Sequence, residues 1–198
     1  MAELLYQGHD SYRITAQNGM VIYIDPFEGK GYDQPADLIL VTHEHTDHNK
    51  VSLVPQKQGC TTIRSSDALK SGEYRSFIIG GVKIEAVEAY NRNHKKEECV
   101  GYILTIDQVS VYAAGDTSKT EQMKKLGSRK LSWALLPIDG VYNMGPEEAS
   151  ECAALIGAAH NIPVHMKPGK LFDRGMAESF HAPGRVILAP GESVELKK

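Results

Sequence analysis

Residues 36–48 read ADLILVTHEHTDH, and this stretch decides the fold. An apolar run, Leu38 to Val41, ends at Thr42 as a short buried strand would, and four side chains able to ligate a metal follow within six residues: His43, His45, Asp47 and His48. Imidazoles and carboxylates suit zinc and related divalent ions, and a loop at a strand end can turn several of them inward together. In extended backbone His43 and His45, two apart, point the same way, while the adjacent pair Asp47 and His48 aims at a second point nearby. Six residues therefore supply parts of two sites. The competing reading is a polar surface loop in which Asp47 caps a helix.

Outward from this segment, the chain is a series of short apolar runs separated by turn signals. Strands are predicted at 11–16, 20–25, 38–42, 61–64, 75–79, 82–87, 101–106, 109–114, 133–137, 162–165, 186–188 and 193–196. Asn18-Gly19, Gly80-Gly81 and Asp107-Gln108 join neighbouring runs as tight hairpin turns. Helices are predicted at 120–126, ending at Gly127, and at 146–159, with Pro146 at its first position and Glu147 and Glu148 in its first turn. Weaker helical turns are expected after His48 and around 176–180. No repeat, low-complexity tract or linker interrupts the 198 residues, so a single domain of packed sheets covered by helices is expected. Two metals need more ligands than one loop provides. His94, Asp116 in Gly115-Asp116, and His165 each follow an apolar run and are the downstream candidates.

The order Asp25, H-x-H-x-D-H, a lone His, Gly-Asp and a late strand-end His resembles the metallo-β-lactamase superfamily, with all five motifs present in sequence between positions 25 and 165. Within it, GHDS at 8–11, YIDP at 23–26, AYN at 89–91, VGYI at 100–103 and PIDG at 137–140 resemble the short metal-dependent hydrolases similar to ascorbate-6-phosphate lactonase. Asp10 stands where that branch carries Ser, a departure at a position that holds no ligand. The resemblance implies an α+β fold, a four-layer αββα sandwich with metals at one edge of the sheets. It implies that His43, His45 and His94 hold one metal, that Asp47, His48 and His165 hold the other, and that Asp116 bridges them. Asp25 would lie behind the ligands and orient the histidine loop. Two divalent ions, zinc first, with manganese, iron or nickel also accepted by these ligands, would lie about 3.5–4 Å apart and share a hydroxide. Asp47 would also accept a proton from the attacking water. Asp116 in place of the Cys of the best-known zinc β-lactamases argues against antibiotic hydrolysis. His45 in place of Glu argues against the diiron oxygen reductases. There is no counterpart of the exosite arm of the tRNA-processing nucleases, nor of the extra helical domain of glyoxalase II.

The expectation is therefore a cytoplasmic hydrolase acting on a small-molecule ester, lactone or phosphoester. A non-catalytic metal- or ligand-binding module and a nuclease or phosphodiesterase are the alternatives. A formal charge of −3 offers no broad basic surface for nucleic acid, and no apolar run is long enough to cross a membrane. The N-terminus has no signal-peptide pattern, the three cysteines, Cys60, Cys99 and Cys152, suggest free thiols, and a homo-oligomer stays open. Lys167, Lys170 and Arg174 would either meet an anionic substrate or form a solvated basic loop. Tyr90, Asn91, Tyr142 and Asn143 flank the expected ligands as pocket candidates. His9 has a structural place or one behind the ligands, His181 faces cleft or solvent, and His160 is explained by the C-terminal dipole of the second helix.

Overall fold

The computed structural model describes residues 1–198. The first sheet contains β1 (Glu3–Gly8), β2 (Ser11–Thr15), β3 (Val21–Ile24), β4 (Ala36–Leu40) and β5 (Gln56–Ile63). A short helix, α1 (Ser65–Ala68), and a small hairpin, β6 (Leu69–Lys70) with β7 (Glu73–Tyr74), lead to the second sheet. That sheet contains β8 (Ser76–Ile79), β9 (Val82–Glu88), β10 (Val100–Ile106), β11 (Val109–Ala113), β12 (Trp133–Pro137) and β13 (His160–Val164). Helices α2 (Glu121–Leu126), α3 (Pro146–Ile156) and α4 (Arg174–Ser179) lie between and after its last strands, and β14 (Ser193–Glu195) returns to the first sheet beside β1. The strand orders are β14-β1-β2-β3-β4-β5 and β13-β12-β11-β10-β9-β8.

Alternation along the strands explains why two sheets stack. Ile22 and Ile24 of β3 and Leu38 and Leu40 of β4 point into the main core of 48 buried residues. Their neighbours Val21, Tyr23, Ile39 and Val41 face the other way and build a separate cluster of six with Ala36 and Val54. The second sheet buries both faces. One meets the first sheet and the other meets α3, whose Ala149, Cys152, Ala153 and Ile156 join the main core. The expected α+β sandwich is what forms. Its outer layer over the first sheet is thin: the smaller cluster packs against Tyr32, Val51 and Cys60, on loops, a 3-10 turn at Val51–Leu53 and the edge strand, because residues 49–60 carry no amphipathic helical pattern.

Several sequence expectations need correction. The strand β1 was not among those predicted, because Leu4, Leu5 and Tyr6 are followed by the buried polar Gln7, which breaks the alternation. The strand β5 begins at Gln56, since its exposed polar start on a sheet edge leaves no apolar signal. Residues 186–188 form no strand; a single bridge, Asn161 to Arg185, ties this segment to β13. The helix α3 stops at Gly157, which takes φ +64 as a left-handed cap, so His160 opens β13 and stacks on Trp133 at 4.3 Å. The helix dipole is therefore not what explains His160.

No helix is long and apolar enough to cross a membrane. In both sheets the strands nearest the functional side chains run parallel: β3, β4 and β5 in one, β11, β12 and β13 in the other. Their C-terminal ends open on the same edge of the sandwich, where side chains leaving the strands meet.

Candidate metal centre

Each of the seven side chains singled out in the sequence leaves a strand at that edge. His43, His45, Asp47 and His48 follow β4, His94 follows β9, Asp116 follows β11 and His165 follows β13. The turn before Asp116 depends on Gly115, at φ +62, where a Cβ would sit 3.0 Å from Thr42. His9, Asp25 and His165 also hold left-handed backbone, at φ 58, 46 and 44. Such conformations cost of order 1–3 kcal/mol each for residues other than glycine, and here they aim side chains at one point. Backbone bonds lock the two sheets there: His165 N donates to His9 O at 2.7 Å, Val100 N to Thr42 O at 3.0 Å, and His9 N to Leu171 O at 2.7 Å.

Asp116 is the hub. Its Oδ2 lies 3.1 Å from His94 Nε2, 3.6 Å from His165 Nε2 and 4.0 Å from His43 Nε2, and its Oδ1 lies 3.4 Å from His48 Nε2. Two groups of candidate ligand atoms, each within 4.8 Å of one another, flank it: His43, His45 and His94 on one side, and His9, Asp47, His48 and His165 on the other. The division matches the two sets that the resemblance implies, with His9 added to the second.

The donor chemistry fits divalent metals. His43 Nε2, His48 Nε2, His165 Nε2 and Asp116 Oδ1 are buried and have no hydrogen-bond partner within the chain, a costly arrangement unless something else binds them. The opposite nitrogens of His43, His48 and His94 are hydrogen-bonded. His48 Nδ1 meets Asp25 Oδ2 at 2.9 Å, and His94 Nδ1 meets Asn91 Oδ1 at 2.8 Å. His43 Nδ1 meets Thr42 Oγ1 at 3.0 Å, and that hydroxyl donates to Asp25 Oδ2 at 2.5 Å. His165 Nδ1 lies 3.0 Å from Asp139 Oδ2, close enough to orient its ring. In the neutral rings, bonding of this kind keeps the proton on Nδ1 and leaves Nε2 as the inward lone pair, the form that ligates; His48, raised to about 10, has first to lose its Nε2 proton.

The electrostatics show the same balance. Burial and the neighbouring His48 push His43 down to about 2, so it is neutral. Burial also acts against the His48 cation, but the Asp116 and Asp25 carboxylates outweigh it and raise His48 to about 10. Asp116 is held well below the carboxylate range because His165 and His48 overcome its burial. Asp47 is lowered too, its burial outweighed by the hydrogen bond from His9 Nε2 at 3.1 Å. Burial raises Asp25, and it raises Asp10 well above the usual value, with Asp25 adding to the effect.

Several contributors were not identified as site residues from the sequence. Thr42 links Asp25 to His43. A continuous polar chain runs from His94 through Asn91, Asn143 and Asp139 to His165: Asn91 Nδ2 donates to Asn143 Oδ1 at 2.9 Å, and Asn143 Nδ2 to Asp139 Oδ2 at 2.8 Å. Asp139 lies two residues past the end of β12, beside the strand that carries His165, so a carboxylate just after a strand is the available signal. Asn91 and Asn143, expected as pocket residues, therefore position ligands. Tyr142 does line the cleft, whereas Tyr90 lies under Lys96, whose Nζ is 5.1 Å from its ring.

The cleft over the centre has a volume of about 560 Å³. Phe27, Glu44, Thr46, Asn93, Tyr142 and Gly169 surround the histidines and carboxylates, and no Lys or Arg lines it. Lys167 sits 3.8 Å from Asp173, Arg174 lies 3.8 Å from Glu178 and over Phe172, and Lys170 and His181 stay outside the lining. All four side chains are exposed.

Residues 3–165 match the family model of the β-lactamase superfamily domain. A UPF0173 metal-dependent hydrolase of Geobacillus thermodenitrificans is 30% identical over 98% of this chain and 100% of its own length. One from Methanospirillum hungatei is 28% identical over 99% of this chain and 100% of its own. Among solved structures, Igni18, a metallo hydrolase of the archaeon Ignicoccus hospitalis, superposes with a TM-score of 0.76 at 24% identity, covering 98% of this chain and 97% of that one.

Proposed function

The chain belongs to the β-lactamase superfamily, among its UPF0173 metal-dependent hydrolases, and on that premise we propose that it hydrolyses a small uncharged ester or lactone on a two-metal centre. The observation that carries this reading is the convergence of His43 Nε2, His48 Nε2, His165 Nε2 and Asp116 Oδ1, buried and without partners in the chain. His43, His45 and His94 would hold one ion, Asp47, His48 and His165 the other, and Asp116 both. Two such ions would supply a hydroxide at neutral pH and polarise the bond to be broken.

The chain's own residues do the rest. Asp25, Thr42, Asn91 and Asp139 orient the rings of His48, His43, His94 and His165. Asp47, half-exposed at the cleft and held by His9, would accept the proton of the attacking water. Phe27 and Tyr142 give the cleft an apolar wall on either side of the centre. With Glu44 at the rim and no fixed cation in the lining, the cleft favours a neutral acyl substrate over a phosphomonoester.

The test is a panel of γ- and δ-lactones, aryl esters, a phosphodiester and a phosphomonoester, assayed after reconstitution with Zn²⁺ or Mn²⁺. Lactone or ester turnover that disappears on chelation is expected, with the phosphomonoester slowest. Turnover of the phosphomonoester alone would overturn the substrate reading, and turnover unaffected by chelation would overturn the metal reading.

A further inference from the structure

One buried carboxylate has no part in the site as assembled so far. Asp10 follows β1 directly after His9, is 1% exposed, and neither of its oxygens has a hydrogen-bond partner. Its neighbours differ in this respect. Asp25 accepts from Thr42 N, Thr42 Oγ1 and His48 Nδ1, and Asp116 lies against His94. A ligand-capable oxygen of Asp10 lies with those of His48 and Asp116 in a group whose atoms are all within 4.8 Å of one another.

The backbone cannot carry this carboxylate out to water. Gly8, at φ +108, packs so closely that a Cβ there would meet Leu171 at 2.8 Å, and His9 is bonded on both sides, its N to Leu171 O and its O from His165 N. Ionised, Asp10 would be an unpaired buried charge beside other acids, costing several kcal/mol; protonated, as its burial favours, it still leaves two buried oxygens without a partner. A hydroxyl, as in the resembled branch, would avoid that cost. A carboxylate tolerated there, with an oxygen in one group with His48 and Asp116, points to a cation that compensates it.

We propose that Asp10 is a further carboxylate of the metal centre, binding a divalent ion together with His48 and Asp116. This rests on the reading of the site as a metal centre. The second half of the centre then carries three carboxylates, Asp10, Asp47 and Asp116, against His48 and His165, a harder oxygen-rich set than the His43, His45 and His94 half.

Asp10→Asn keeps the shape and removes the charge, and Asp10→Ser restores the residue of the resembled branch. Metal-free wild type and both variants would be titrated with Zn²⁺ and, separately, Mn²⁺ by calorimetry, with bound metal counted by mass spectrometry and melting followed with and without metal. The expected result is a loss of about 10–100-fold in affinity for one ion in each variant, with the other ion unaffected. Without metal, the variants are expected to melt at or above the wild-type temperature, because the uncompensated acid is gone. Both ions bound by Asp10→Asn with wild-type affinity would overturn the proposal while leaving the metal centre intact. So would metal-free variants that melt well below the wild type, since Asp10 would then serve packing. A wild type that binds no ion would overturn the metal-centre reading, and Asp10's role with it.

Discussion

Asp25→Asn separates what holds the histidine loop together from what makes it bind metal. In the wild type, Asp25 Oδ1 accepts from Thr42 N at 2.7 Å, while Oδ2 accepts from Thr42 Oγ1 at 2.5 Å and from His48 Nδ1 at 2.9 Å. An asparagine can keep the first bond, but its amide nitrogen replaces Oδ2. The Thr42 hydroxyl can turn and accept. Metal-free His48, raised to about 10, carries a proton on both nitrogens; once Nε2 gives its proton up, the proton left on Nδ1 faces an amide donor instead of a carboxylate. The stability cost is the loss of charge assistance to bonds worth roughly 1.5–3 kcal/mol each, with geometry preserved, so about 2–3 kcal/mol overall. At about 2–4 °C per kcal/mol for a chain of this size, melting falls by roughly 4–12 °C. Asp25→Ala leaves the donors bare and costs more, about 3–5 kcal/mol. Metal affinity is affected separately: one ion binds about 10–100-fold more weakly in Asp25→Asn, because the ligating tautomer of His48 has lost the acceptor for its Nδ1 proton. Thermal melting and calorimetric metal titration measure the two effects independently. An Asp25→Asn protein that melts lower but binds both ions with wild-type affinity would refute the tautomer argument.

Three further outcomes follow from the same geometry. Asn143→Ala cuts the polar chain between His94 and His165 and should weaken both ions by similar factors; a change confined to one ion, seen by calorimetry, would contradict a shared network. His48, raised to about 10 by Asp116 and Asp25 against its burial, contributes stability to metal-free protein that is fully present below the unfolded value near 6.5 and is lost as pH climbs through about 10. Metal-free melting temperature should therefore decline across that window, and affinity for the ion on His48 should rise by up to about tenfold per pH unit; a pH-independent affinity would sink this. Burial pushes Cys99 and Cys152 up to about 12, so a thiol reagent at pH 8 should label at most the half-buried Cys60 until denaturant is added; rapid native labelling of all three would contradict the packing.

The site was far more legible in the sequence than its supports. Ligation demands particular residue types at strand ends, so His43, His45, Asp47, His48, His94, Asp116 and His165 were visible as chemistry before any strand was placed. Thr42, Asn91, Asp139 and Asn143 act through hydrogen bonds that any polar loop residue could make locally, and their partners lie up to 52 positions away. The branch resemblance marks Asp10 as a position that holds no ligand, because that branch carries Ser there, and its burial without a partner is visible only in the fold. Strands with two buried faces or clean alternation, such as β12 and β2, were legible. The edge strand β5 was legible only at its end, and β1, with its buried Gln7, not at all, since neither pattern records which backbone groups pair. His160 shows the opposite error, a plausible electrostatic role assigned from nearness in sequence although Gly157 already marked the end of the helix.

The central claim is that these side chains form a centre for two divalent ions with Asp116 between them. Counting tightly bound metal per chain, by mass spectrometry after reconstitution and desalting, tests it most directly in the wild type and in Asp116→Ala. The account predicts two ions per wild-type chain and one or fewer in the variant, with hydrolysis lost alongside. A wild type that holds no more than one ion, or an Asp116→Ala protein that keeps both ions and its hydrolytic rate, would contradict it.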